Sequence, residues 1–423
     1  MREPALNRGG AIDVAVIGGG PAGLAAATEL KRAGIGRVVV LEREQEAGGI
    51  PRHCGHPPFG MREFGRVLRG PVYAARLVAR ARRAGVEIHT GASVVEARPG
   101  GDLLLAVARG VQEISARRVI CATGVRERPR SARLISGARV AGVLNTGALQ
   151  SLVYLKRLRP FRRPVIVGSE LVAFSAIMTC RHAGIRPVAM IEPGPRVTAR
   201  WPSALFPRLA GVRLMTGTRL LEITGEGAVS GVVVEGPGGE RQRIACDGVV
   251  LSGRFTPEST LARSGHLQVD PATGGPVVDQ WGRCSDAAYF ATGNLLRPVE
   301  TAGWSWREGR QCGQHVAADL AGNLPREDAF LRLEAAGPAL KYVMPQRLSL
   351  PHAAAGMKDL QLRVGREVRG ALVAVNEQGV VWREKIHARP ERRLLVPVGE
   401  IAAGVAAQPS GSRLVFEIRE GAG

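Results

Sequence analysis

Three glycines and one acid carry the clearest chemistry in this chain. Gly18-x-Gly20-x-x-Gly23 directly follows the apolar run Val14–Ile17, and Glu42 stands nineteen residues beyond Gly23, at the end of a second apolar run. Gly18 permits a tight turn, Gly20 lets backbone amides approach a pyrophosphate at a positive helix N-terminus, and Gly23 lets that helix pack close to its strand. Glu42 is placed to accept hydrogen bonds from a ribose. Two groups able to handle protons or electrons, Cys54 and His56, lie in the following irregular loop, Arg43 to Arg69, which also holds Gly48-Gly49 and Pro57-Pro58. Long irregular loops in compact domains are more often functional than idle. A thiol and an imidazole there make the candidate catalytic pair.

These residues need a strand, turn, helix, strand unit to position them, and Val14 to Glu42 spells one out, with an Ala-rich helical segment between the apolar runs. The plan then recurs. Val165-Ile166-Val167-Gly168 mirrors Ala15-Val16-Ile17-Gly18, the interval from Gly168 to Glu192 equals that from Gly18 to Glu42, and Gly211–Gly217 echoes Gly85–Gly91. Two nucleotide-binding-type α/β domains of one architecture are expected. The second copy departs at the phosphate turn: Glu170 stands where the second glycine should be and Ala173 where the third should be. A carboxylate beside a pyrophosphate is electrostatically wrong and blocks the close approach. That copy therefore reads as a retained scaffold that has lost its nucleotide, with Glu192 an ordinary strand-end acid. The expected segments are a first nucleotide-binding part over 1–125, an inserted degenerate domain over 126–254, a second part over 255–325 with a helix from about Gly303 to Leu320, and a small β-rich domain over 326–423.

Composition narrows the classes. A chain of 423 residues has material for several packed domains, and no apolar run reaches membrane-spanning length. The first ten residues lack the apolar core of a secretory signal. Six cysteines are scattered without a CxxC pair, arguing against a disulfide framework and an internally complete metal cluster and for the cytoplasm. The net charge is +21, yet only five of 58 basic residues are lysines and the arginines spread along the whole chain without stacking aromatics. An Arg-biased solvated surface, or attraction to an acidic partner or membrane surface, fits this better than nucleic acid.

With Val16–Leu24, Ala122-Thr123-Gly124 and Ala291-Thr292-Gly293-Asn294 together, the chain resembles the two-dinucleotide-binding-domain flavoproteins of the glutathione reductase type over roughly residues 11 to 322. The resemblance implies FAD as cofactor, held by Gly18, Gly20, Pro21, Ala22, Gly23, Glu42, Arg43, Gly49, Ala122, Thr123, Gly124, Gly293, Asn294 and Thr301. Asn294 stands where many members carry Asp, which keeps hydrogen-bonding capacity and removes a charge. Gly48-Gly49-Ile50 with Cys54 and His56, Gly70–Ala74, Gly124–Arg128, Gly293–Leu296 and Tyr342–Arg347 are similar to one subgroup. It comprises oxidoreductases that accompany a glycerol-3-phosphate-dehydrogenase-like flavoprotein and, more distantly, the FAD-carrying components of opine oxidases, hydrogen cyanide synthase and heteromeric amine dehydrogenases. This resemblance implies a small amine, amino acid, opine or hydroxy acid as substrate, a second flavoprotein as partner in a heteromer, and an iron-sulfur centre. No cysteine follows Cys312, so a two-iron cluster is expected on another polypeptide. Two other readings stay open: a self-contained NAD(P)H-dependent FAD reductase, and a non-catalytic component that retains FAD for assembly.

Overall fold

The computed structural model describes residues 10–199, 205–325, 329–350, 355–405 and 408–420. The elements that matter to the site are strands β1 (Ile12–Ile17), β2 (Val38–Glu42), β3 (Gly110–Cys121), β4 (Pro164–Val167), β5 (Ala189–Glu192), β6 (Gly248–Leu251) and β7 (Tyr289–Ala291), with helices α1 (Pro21–Arg32), α2 (Thr146–Gln150), α3 (Leu171–His182) and α4 (Ala302–Leu320). The chain forms two compact units. One comprises the stretches up to Gly49, Ala74–Val125 and Pro257 onward; the other comprises Ile50–Tyr73 and Arg126–Thr256. The loop carrying Cys54 and His56 thus clusters with the inserted segment, and the C-terminal β-rich segment with the first unit.

In the first unit β1 lies between β2 and β3, parallel to both, with Glu87–Thr90 beyond β2 and β7 parallel to β3. Strands covered on both faces must be apolar throughout, so β1 and β2 read IDVAVI and VVVLE rather than alternating. Proline at the first position opens α1 and Lys31 and Arg32 close it, both favourable to the helix dipole. In α4 the buried stripe is Ser305, Gly309, Cys312, Gly313 and Val316, at helical spacing and almost all small. That smallness lets α4 lie against α1 backbone to backbone: a Cβ on Gly309 would stand 2.1 Å from the Ala22 carbonyl oxygen, and one on Gly313 2.7 Å from that of Ala26.

The C-terminal part of this unit has a five-stranded and a three-stranded sheet around its own core. The three-stranded sheet, Leu340–Met344, Asp359–Val364 and Arg393–Pro397, contributes Tyr342 and Met344 to the core beneath β3 and β7.

The second unit repeats the plan with β5, β4 and β6 adjacent and parallel, Arg213–Thr216 outside β5 and Val143–Asn145 outside β6. Helix α3 packs against it through Ala173, Phe174, Ala176, Ile177 and Cys180.

Close helix contact is testable. Gly309→Ala should cost about 1–3 kcal/mol through overpacking and weaken flavin retention. Gly399→Ala, where a Cβ meets nothing within 4 Å, should be neutral or slightly stabilising. Melting temperature and residual flavin absorbance check both.

Candidate functional site

In an open α/β sheet, ligands bind outside the carboxyl ends of the strands, where the strand order reverses. In the first unit that crevice lies between β1 and β3, and every loop that closes it leaves a strand's C-terminal end. Gly18 follows β1 at φ +108°, and a Cβ there would stand 2.5 Å from the Ala122 carbonyl oxygen. A Cβ on Gly23 would stand 2.0 Å from the Gly18 oxygen, so only hydrogen fits between helix and turn. Gly49, at φ +61°, approaches from the other side: a Cβ on it would stand 2.8 Å from the Gly20 Cα. Pro21 and Ala22 form the first turn of α1, whose amides lack partners inside the helix.

Glu42 is buried at the end of β2 and accepts from the Gly19 and Glu44 amides, each at 2.9 Å. Arg43 beside it is exposed, 4.0 Å from the Glu44 carboxylate. Ala122, Thr123 and Gly124 leave β3; the Thr123 hydroxyl donates to the Glu258 carbonyl at 2.7 Å, and Gly124 has open space where a side chain would be. Gly293, at φ +71°, leaves β7 and comes so close to α1 that a Cβ would stand 2.7 Å from that of Ala22. Thr301 is exposed at the N-terminus of α4, its carbonyl accepting from Trp304 and Ser305. These residues form a glycine-walled cradle with a helix N-terminus and a buried carboxylate at its ends. That donor set fits a dinucleotide: amides for a pyrophosphate, a carboxylate for a ribose.

Asn294 has a local task. Its carboxamide donates to the Glu300 carbonyl at 3.0 Å and accepts from the Glu300 amide at 2.8 Å, closing the turn 294–300. An aspartate could not make the first bond, which gives a reason for Asn here. The turn is also gripped by Arg297, a residue that sequence reasoning missed. Its fully buried guanidinium donates to the Gly293 carbonyl and Gln361 Oε1, each at 3.0 Å, and pairs with Glu308. Arg363 holds Glu300 at 2.7 Å and Arg393 stacks 3.9 Å above Trp304. Strands from the C-terminal sheets thereby reach the late glycine turn.

The same crevice in the second unit, between β4 and β6, is filled by the chain itself. The Glu170 carboxylate lies within 2.8 Å of where a Cβ on Gly168 would be and 2.5 Å of where one on Gly253 would be, spanning the ends of both strands. Burial pushes its pKa up. Arg133 donates to the Ser252 carbonyl at 2.8 Å and the Gly253 carbonyl at 2.6 Å. Glu192, the counterpart of Glu42, is buried and used locally: it accepts from Ser169 Oγ, from the Gly194 amide at 2.8 Å and from Thr198 Oγ1 at 3.4 Å.

Cys54 and His56 stand in different surroundings. The buried Cys54 thiol donates to Gln150 Oε1 at 3.5 Å, and burial, with the nearby Glu127, pushes it up to about 12. His56 is only half-buried, with Nδ1 2.9 Å from the Pro57 carbonyl oxygen. The ionisable group that the fold poises is Glu127. It accepts from the Gly147 amide at 2.8 Å and the Gly253 amide at 3.1 Å, and burial raises it to about 7. A Cβ added to Gly147 would stand 3.6 Å from Glu127 Oε2 and 3.9 Å from His53 Cε1. The only sequence signal for Glu127 was its place in Gly124–Arg128. All six cysteines are buried and reduced.

Comparison with known proteins agrees with this geometry. Residues 12–309 match the model of the pyridine nucleotide-disulphide oxidoreductases. The chain belongs to that family. It is an FAD-dependent oxidoreductase. It is similar to the alpha subunit of sarcosine oxidase of Corynebacterium sp. (strain P-1), 30% identical over 295 residues, covering 63% of this chain and 29% of that protein. It is 29% identical over 185 residues to one subunit of the opine oxidase of Rhizobium meliloti (strain 1021), covering 43% of this chain and 38% of that one. The chain thus spans less than two-fifths of the length of either relative. Thioredoxin reductase of T. acidophilum shares the fold, with a TM-score of 0.62 at 21% identity over 73% of this chain and 98% of that one.

Two measurements follow. A thiol reagent at pH 7 to 8 should titrate none of the cysteines rapidly in the native protein and all six after denaturation, because burial keeps each protonated and covered. A fast native thiol would reinstate Cys54 as a redox group. For Glu127 the folded value of about 7 lies above the ordinary 4.5. The folded state therefore holds more protons between these values, and its stabilising contribution, full below about 4.5, is lost as pH rises through 7. Glu127→Gln should flatten that part of the melting temperature against pH curve relative to wild type.

Proposed function

We propose that this chain is the FAD-containing subunit of a heteromeric dehydrogenase or oxidase acting on a small amine, amino acid, opine or hydroxy acid such as glycerol 3-phosphate, and that its electrons pass to or from a partner polypeptide. The first-unit cradle is the place we assign to its FAD, and Gly18, Gly20, Gly23, Glu42 and Gly293 are the residues that would hold it. The observation that carries the reading is the filled second crevice. A dinucleotide bound there would have to displace the Glu170 carboxylate from between Gly168 and Gly253 and Arg133 from the Ser252 and Gly253 carbonyls, and find Glu192 already engaged. Without a second nucleotide the flavin needs another route for its electrons. The names of the relatives support this direction, since both are subunits of oxidases. FAD supplies the two-electron chemistry, while the protein supplies position, electronics and access.

The reading includes a second flavoprotein as partner, an iron-sulfur centre on another polypeptide and a cytoplasmic location. Among the described residues, no helix is long and apolar enough to cross a membrane.

NADH or NADPH added anaerobically should leave the flavin band unchanged, whereas a small amine or hydroxy-acid substrate should bleach it in the intact complex. Native purification should yield at least one further polypeptide carrying flavin or iron and sulfur. Rapid bleaching by NADPH in the isolated chain would overturn this reading in favour of a self-contained reductase.

A further inference from the structure

Apart from both crevices, the second unit carries a dense cationic surface. After α2 the chain continues through Ser151–Leu155 as a wide helical turn and reverses at Arg157, φ +53°, where the Leu158 amide donates to the Leu152 carbonyl at 2.9 Å. The loop that follows reads Lys156-Arg157-Leu158-Arg159-Pro160-Phe161-Arg162-Arg163. It lies beside the end of α3: the Arg186 amide donates to the Arg162 carbonyl at 2.8 Å, and Arg159 Nη1 comes within 3.7 Å of where a Cβ on Gly184 would be. Arg181 and Arg186 are thereby close in the fold to the loop that carries Lys156, Arg157, Arg159, Arg162 and Arg163, and all seven are exposed. Among the described residues none of the seven makes an ion pair. The neighbouring acid, Asp247, has both oxygens engaged by the Arg162 and Arg163 amides, at 2.7 and 2.6 Å.

Two leucines stand among these cations, Leu155 at 41% and Leu158 at 56% exposed. Phe161, the aromatic of the loop, is buried and offers bases no stacking surface, and the rings beside it, Tyr154 and His182, stack on each other. Apolar side chains protruding from a field of unpaired arginines suit an interface where hydrocarbon and negative charge lie a few ångströms apart. Leucines enter the boundary between headgroups and acyl chains while the long cationic stems reach outward to phosphates.

We infer that this face, Leu155–Arg163 with Arg181 and Arg186, docks the protein on an anionic lipid surface. The net charge of +21 adds long-range attraction to the same partner. The contact is peripheral and electrostatic, so it weakens with salt and depends on headgroup charge.

The test is co-sedimentation of the FAD-loaded chain with vesicles of phosphatidylcholine, alone or with phosphatidylglycerol. Wild type should partition onto the phosphatidylglycerol vesicles only, with a loss of at least about tenfold as salt rises to about 0.5 M. Arg157→Glu with Arg159→Glu should lose a similar factor, and Leu155→Ser with Leu158→Ser several-fold, each keeping flavin absorbance and melting temperature. Arg109→Glu, an exposed charge reversal in the other unit, should bind as wild type does. Absence of salt-sensitive binding by wild type overturns the inference whether or not the variants fold. So does unchanged binding of both double variants, or retention on immobilised polyglutamate with none on vesicles, which would assign the face to an acidic protein.

Discussion

The first turn of α1 is packed so closely that hydrogen is the only side chain its neighbours can carry. Gly23 lies over the Gly18 carbonyl, Gly293 against the Ala22 side chain, and Gly309 against the Ala22 carbonyl, each at a separation that a Cβ would violate. The helix N-terminus, the donor end for a pyrophosphate, is therefore fixed by backbone contacts on several sides. Two of those contacts come from residues about 270 and 290 positions later in the chain. The cradle is thus completed by residues that lie beyond the inserted unit in the chain.

The return is secured by the C-terminal sheets. Arg297 links Gly293 to Gln361 and Glu308 in a buried set that Arg363 and Arg393 extend. A buried guanidinium is tolerated only when its donors are met, and here a backbone carbonyl of the glycine turn is one of the acceptors. Substituting it would unfasten the turn and leave Glu308 only Gln361 at 3.3 Å and Arg393 at 3.9 Å. The β-rich segment is thereby part of the unit that builds the cradle.

The duplicated crevices show how one architecture reaches opposite ends. Both have parallel strands, a switch point, a helix N-terminus and a strand-end acid. In the first, glycines leave the space open and Glu42 accepts from backbone amides at the cradle's rim. In the second, Glu170 brings a carboxylate into that space and Ser169 turns its hydroxyl onto Glu192. Low dielectric keeps such groups neutral or paired, which accounts for the raised pKa values of Glu170 and Glu127.

The sequence by itself determined the two-copy α/β plan, the glycines and acid of the first cradle and the spoiled glycines of the second copy, because glycine spacing and apolar runs are local signals set by strand, turn and helix geometry. Tertiary structure decided what the local pattern could not encode. Glu170 could be read as an obstacle, but its span between Gly168 and Gly253 depends on a strand eighty residues on. Cys54 and His56, two residues apart, differ in environment because one side chain is buried against Gln150 while the other stays half-exposed. Glu127, Arg297 and Gly309 gain their roles from partners distant in sequence, and burial, which sets an ionisation state or forbids a methyl group, is a property of the packed whole.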